Sequence, residues 1–238
     1  MLRRYWSDRL GVNRDAFDRS GVTVGSGSRH GIELFERGDA LVVGAPELLV
    51  PALRRYTDDL ASIDVTDPDA VRGAFTDLGF GPIGDVLGPA FYGYADRETF
   101  APVESDARVL TADDESAYRH FRGAVPDEEW KQGGPAFEPG EMIGLFADAG
   151  DDNELVAAAA YDVWDDLLAH LAVVASPERR NQGYGRAVVS RATERALAEG
   201  LIPQYRTADA WPWSVALAEG LGFCQFGTSV LVSIGESP

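Results

Sequence analysis

The chain of 238 residues holds one cysteine, one lysine and three histidines. With Cys224 alone, no disulfide can close within the chain and no cysteine-based metal site can be built. His30, His120 and His170 are far apart and show no ligand spacing, so no metal is expected. The longest apolar run, Leu155–Tyr161, is seven residues, against the roughly 20 that a membrane span needs. Met1–Gly11 carries basic residues with no apolar segment behind them, unlike a secretory signal. Internal repeats and low-complexity tracts are also missing. These absences point to a cytoplasmic protein that uses no metal and no membrane.

Positive charge is scarce as well. Lys131 is the only lysine, Lys+Arg is 21 against Asp+Glu at 39, and the net charge is −18. A field of that sign repels phosphate backbones and anionic lipid, which argues against a nucleic-acid or membrane partner. An acidic, lysine-poor surface is also what keeps a protein hydrated in strong brine, where the screening length falls to about 3 Å. The composition therefore reads as halophilic, the alternative being an acidic protein from a high-GC genome. Otherwise the balance is that of an ordinary globular chain, with 45% apolar and 25% charged residues, long enough for one large domain or two small ones.

Residues 1–104 read as a small α/β domain. Ile32–Phe35 and Ala40–Val43 form a hairpin turned by Gly38-Asp39. Pro51 opens a helix running to about Leu60, with Ala52, Leu53, Tyr56 and Leu60 on one face. Asp67-Pro68 starts a second helix. Seven of the fifteen residues from Gly79 to Gly93 are Gly or Pro, which reads as a loop. Phe100–Ser105 is the expected boundary, followed by a second domain over 105–238. There the order is a short strand at Arg108–Leu110 and a capping box at Thr111–Asp114 opening a helix to about Ala124. A helical turn at Glu128–Lys131 and strands at Met142–Phe146, Leu155–Val163 and Leu167–Ala175 come next, with a turn at Asp148–Asn153. A helix over Gly183–Glu199, a strand at Pro203–Thr207, a helix at Ser214–Glu219 and a last strand at Gln225–Ile234 complete it.

Val173 to Arg186 carries the chemistry. It is a strand, a loop and a helix N-terminus, with glycines that let a ligand approach the backbone and first-turn amides free to bind an anion. Arg179, Arg180, Arg186, Arg191 and Arg195 crowd within 17 residues in and beside it. Arg180 and Arg186 read as contacts for a phosphate-like anion. Arg191 and Arg195, spaced i,i+4 with Glu194 nearby, read as a solvated helix face. The run Gly183-Tyr184-Gly185-Arg186 lacks the third small residue of a dinucleotide fingerprint, and a P-loop would need a lysine that is not there.

Arg180-x-x-Gly183-x-Gly185 resembles the Q/R-x-x-G-x-G/A signature of the GNAT superfamily of N-acetyltransferases. Ser214 to Phe223 is similar to its second landmark, N-x-x-S-x-x-L-x-x-x-L-G-F. Gly200-Leu201-Ile202-Pro203 resembles the branch that carries an extra N-terminal domain. The resemblance covers about residues 106–235. It implies a mixed central sheet flanked by helices, preceded by the smaller N-terminal α/β domain. It also implies acetyl-CoA as cosubstrate, lying between the family's fourth and fifth strands. Val173, Val174 and Ala175 would meet the pantetheine arm through their backbone, and Arg180, Asn181, Gln182, Gly183, Tyr184, Gly185 and Arg186 would hold the pyrophosphate, with Ser214 at the second landmark. The acceptor would be a primary amine on a small molecule or peptide. The family's frequent Asn and acid Tyr are replaced by Trp211 and Ala218, leaving the thiolate without its usual proton donor. Weak stand-ins for catalysis are Tyr184 and Asp166, the latter one of three acidic residues near a turn with Asp162 and Asp165. Tyr205 matches the missing acid by type only. A catalytic Glu or His would sit nine or eleven residues before Arg180, at Leu171 or Ala169. His170 lies ten before, so it faces the other side of the strand and reads as a packed histidine. Trp130, Trp164, Trp211 and Trp213 read as core, and Cys224 as a buried thiol. The alternative to an enzyme is an acyl-CoA sensor or interaction module that kept the cofactor site.

Overall fold

The computed structural model describes residues 1–28, 31–149 and 152–235; His30 and the tip of the turn expected at Asp148–Asn153 lie outside the described residues. The contacts form two compact units. One holds 1–92, 207–212 and 225–238, and the other 93–206 and 213–224. The sequence boundary at 104/105 follows chain order, whereas the contacts return the C-terminal strand to the first unit.

In the first unit, helix α1 (Leu2–Leu10) precedes strands β1 (Gly21–Ser26), β2 (Ile32–Arg37) and β3 (Ala40–Ala45). The β2–β3 hairpin forms as expected, with Arg37 opposite Ala40 and Gly38 at φ 57° in the turn. The helix expected from Pro51 to Leu60 is instead two short helices, α2 (Val50–Leu53) and α3 (Thr57–Ala61), broken at Tyr56 with φ −112°. Leu53 and Leu60 both stay buried, so the apolar spacing survives the break. Helix α4 (Pro68–Asp77) is capped by the Asp67 carboxylate, which accepts from the amides of Asp69 and Ala70. The stretch read as a loop at Gly79–Gly93 is largely strand β4 (Ile83–Tyr94). Its glycines serve close approach rather than turning: a Cβ on Gly88 would come within 2.6 Å of the Ser229 carbonyl oxygen. These elements pack around Ile32, Leu34, Val43, Leu53, Leu60, Val71, Phe75, Val230 and Val232.

In the second unit the capping box forms, Thr111 giving its amide to Asp114 Oδ2 at 2.7 Å. It opens a 3-10 turn that leads into α5 (Glu115–Ala124), beside β5 (Arg108–Val109). Then come α6 (Asp127–Gly133), β6 (Ile143–Ala149), β7 (Asp152–Trp164), β8 (Leu168–Ala175), α7 (Tyr184–Ala198), β9 (Ile202–Ala208) and α8 (Pro212–Gly220), with β10 (Cys224–Ile234) last. The strand order is β1-β3-β2-β10-β4 in the first unit and β9-β8-β7-β6-β5 in the second. β5 to β8 are antiparallel, β8 and β9 parallel. This is a mixed sheet flanked by helices, the class the sequence implied. Leu110, Phe121, Met142, Leu155, Ala158 and Val174 form the core under α5.

Candidate active site

The β8–β9 pairing decides where a ligand can go. It runs through Leu168–Ile202, Ala169–Pro203 and His170–Gln204 and stops there, although β8 continues to Ala175. Past His170 the two strands part. Ser176 donates its amide to the Val156 carbonyl at 2.8 Å. By the alternation of an antiparallel pair, Val174 then turns its amide toward β7 while Val173 and Ala175 turn theirs into the gap. Of the three expected backbone contacts, Val173 and Ala175 are therefore placed for a ligand, and Val174 is committed to β7 and to the core. Gly133, at the end of α6, closes on this gap: a Cβ there would lie 3.1 Å from the Val173 oxygen.

The strand leads through the turn Pro177–Arg179 into α7. Asn181 at φ 62° and Gly183 at φ 83° reverse the chain, so that Gly183 caps the helix. The Ala187 amide bonds the Gly183 carbonyl at 3.0 Å, which leaves the preceding amides of the first turn without helical partners. A Cβ on Gly183 would meet nothing within 4 Å, and one on Gly185 only Leu217 Cδ1 at 3.4 Å. The cradle is open, with a fixed positive dipole end behind it.

The arginine cluster is largely matched by local partners. Arg180 pairs with Glu129 on α6, and Arg179 with Glu154 at 3.7 Å. Arg186 donates to the Gly220 carbonyl at 2.6 Å. Arg191 pairs with Glu194 at 2.8 Å and Arg195 with Glu199 at 3.0 Å, the solvated face expected for them. The Arg180–Glu129 pair spans 51 positions, a distance over which charge pattern alone is silent.

His170 is a packed histidine. It stacks on Trp164 with ring centroids 3.9 Å apart, and its Nδ1 lies 2.8 Å from Gln204 Oε1. The Gln204 amide in turn donates to the Tyr94 hydroxyl at 2.5 Å, so His170 Nδ1 carries the proton and donates. Burial pushes the ring below its ordinary pKa, with the Gln204 bond opposing. Gln204 is fully buried, and nothing local in the strand Ile202–Ala208 marks it as the partner of His170.

Tyr205, one residue past the last rung, is buried and its hydroxyl is 3.0 Å from Ser214 Oγ. Burial pushes the phenol up. Ala218 is fully buried, so the family's acid position offers no proton. Tyr184, half-buried, begins α7 beside the cradle. Asp166 is exposed in the β7–β8 turn with Asp165, φ 52° and 53°, closed by the Leu167 amide on the Trp164 carbonyl. That turn is at the other end of β8 from the cradle, roughly 25 Å of strand away. Two expectations are corrected: Cys224 is exposed, and Trp213 is 68% exposed rather than core. Both occupy surface ends of elements whose apolar spacing suggested interior. Among the described residues, no cluster of His, Cys, Asp or Glu could hold a metal, and no helix is long and apolar enough to cross a membrane.

Parted strands feeding an open helix N-terminus leave free amides and room that suit an anionic, extended ligand. Residues 107–223 match the profile of the Acetyltransferase (GNAT) family. That match, over just under half of the chain, identifies residues 107–223 as a domain of the GNAT type, a family of acyl-CoA-dependent acetyltransferases. The chain is similar in fold to a GNAT-family acetyltransferase from Colwellia psychrerythraea, at 14% identity and TM-score 0.52, over 98% of this chain and 94% of that one. A GCN5-related N-acetyltransferase from Kribbella flavida is similar at 17% identity and TM-score 0.51, over 100% and 96%. No curated protein matches the chain.

Proposed function

We propose that the protein transfers an acetyl group from acetyl-CoA to a primary amine on a small molecule or peptide. The observation that carries this is the parting of β8 from β9 directly upstream of the open cradle. The residues fit the cosubstrate: a cradle of free amides for the pyrophosphate and a strip of outward-facing strand amides for the arm. Bound acetyl-CoA supplies the thioester to be attacked. The Val173 and Ala175 amides would hold the arm, and one of them would face the oxygen on which negative charge develops. The Gln182–Arg186 backbone would hold the pyrophosphate at the positive end of α7. Gly183 and Gly185 leave that approach clear. With Ala218 unable to donate, the proton required by the departing thiolate would come from elsewhere, and Tyr184 stands nearest the cradle by position.

The test is release of free thiol from acetyl-CoA across a panel of primary amines, beside a calorimetric titration of acetyl-CoA alone. Thiol release above the amine-free rate with at least one amine is expected. Saturable binding with no turnover on any amine would replace the enzyme reading by that of an acyl-CoA sensor.

A further inference from the structure

The cradle accounts for the middle of a CoA molecule and the gap for its arm, which leaves the adenosine end outside both. The surface at that point holds an unexplained aromatic residue. Trp213 is 68% exposed, among the most exposed large apolar side chains of the described residues, which leaves most of its indole free to meet a ligand.

Its position follows from two contacts. A Cβ on Gly185, in the first turn of α7, would touch Leu217 Cδ1 on α8 at 3.4 Å. Arg186 donates to the Gly220 carbonyl, one turn further along α8, at 2.6 Å. Both contacts join the first turn of α7 to the second half of α8. Trp213 precedes Leu217 by four residues, on the same face of α8 and about 6 Å back along its axis. Trp213 is therefore one helical turn from the residue that meets the first turn of α7, where the cradle opens. Arg186 adds a hydrogen bond between the two helices through the Gly220 carbonyl. Trp213 makes no use of this position in the fold itself: Ala218 and Leu221 fill the buried side of the segment.

We propose that Trp213 is a cosubstrate-binding residue that stacks on the adenine ring of CoA, while the adjoining pyrophosphate sits on the Gly183–Arg186 amides. The inference rests on the CoA reading above and adds the ring that anchors the adenosine end. Adenine is the only flat ring in CoA, and an exposed indole is the side chain best suited to cover it, the two gaining by stacking and by shared removal from water.

The experiment is calorimetric titration of wild type, Trp213→Ala and Trp213→Tyr with two probes, CoA and 4′-phosphopantetheine, the second lacking adenosine. Thermal melting first confirms that both variants fold, as an exposed side chain allows. Trp213→Ala should weaken CoA binding roughly tenfold or more, the size of one base-on-aromatic stack, and leave 4′-phosphopantetheine binding within about twofold. Trp213→Tyr should recover most of the CoA affinity. CoA affinity unchanged in Trp213→Ala, with wild type binding normally, overturns this inference and leaves the acetyltransferase reading intact. Equal losses for both probes put the indole over the arm and overturn the adenine assignment. Failure of wild type itself to bind CoA overturns the functional reading, and this inference with it.

Discussion

Two glycines and two sets of strand pairs, one from each unit, behave in opposite ways. In the first, β1 and β3 pair over six rungs and β2 and β3 over five, and Gly88 exists because the Ser229 carbonyl occupies the space a side chain would take. In the second, β8 and β9 pair over three rungs and part, and Gly183 faces space that no protein atom fills. A closed ladder satisfies its own backbone. An open one leaves amides that need a partner, and a ligand supplies it. The difference separates a glycine required by packing from one that leaves room for something else, which residue type alone does not reveal.

The largest effect expected is on the closed side. Gly88→Val forces a Cβ against a backbone oxygen at a φ of 115°, combining overpacking with backbone strain. Together these should cost roughly 2–5 kcal/mol, read by chemical denaturation. A loss under about 0.5 kcal/mol would erase the contrast between the two kinds of glycine.

His170→Ala probes the last rung before the strands part. It leaves the buried Gln204 oxygen unpaired, at about 1–3 kcal/mol, while the pH dependence of turnover should keep its shape. A loss of more than about a hundredfold in turnover with stability unchanged would instead mark a general base and put the strand register off by one. Because burial holds this ring below its ordinary pKa, its contribution to stability is complete above pH about 6.5 and is lost as pH falls through the depressed value.

A smaller effect belongs to the cap of α5. The hydrogen bond from Arg108, with the Thr111 amide adding to it, holds the Asp114 carboxyl well below the usual carboxylate range. Asp114→Ala should cost about 1 kcal/mol. The stabilisation is full above pH about 4 and disappears as pH drops through the lowered value, so wild type and variant should converge in acid. Parallel curves across that range would remove the cap from the account.

The most diffuse effect is that of salt. With 39 acidic and 21 basic side chains, repulsion should weaken the fold in dilute buffer and fade as the screening length drops from about 30 Å at 0.01 M to about 3 Å at 1 M. The melting temperature should rise with potassium chloride, and activity should persist at molar salt. A flat or falling melting temperature would give the acidic composition another cause.

Several local devices are legible in the sequence: the Gly38 turn, the Asp67 cap, the Thr111–Asp114 box and the order of elements from Arg108 onward, whereas the break at Tyr56 within the expected Pro51–Leu60 helix is not. All of these depend on residues within a few positions of one another. Contacts distant in sequence account for other differences. β4 looked like a loop because its glycines answer to Ser229, more than a hundred positions away, and the return of β10 to β2 leaves no local mark. At the site, the glycine cradle was legible because helix termini are local devices. The partners of Arg180 and His170 were not, since Glu129 and Gln204 reach them from other elements. Trp213 shows that apolar character at a helix end does not amount to burial.

The central claim is that the opening of α7 binds the pyrophosphate of acetyl-CoA through backbone that only glycine leaves accessible. Calorimetric titration of acetyl-CoA into wild type and Gly185→Val tests it directly. The fold should tolerate the valine, since its Cβ meets only the flexible end of Leu217. The account predicts saturable binding to wild type and no detectable binding to a variant that melts like wild type. A folded Gly185→Val protein with unchanged affinity for acetyl-CoA would contradict it.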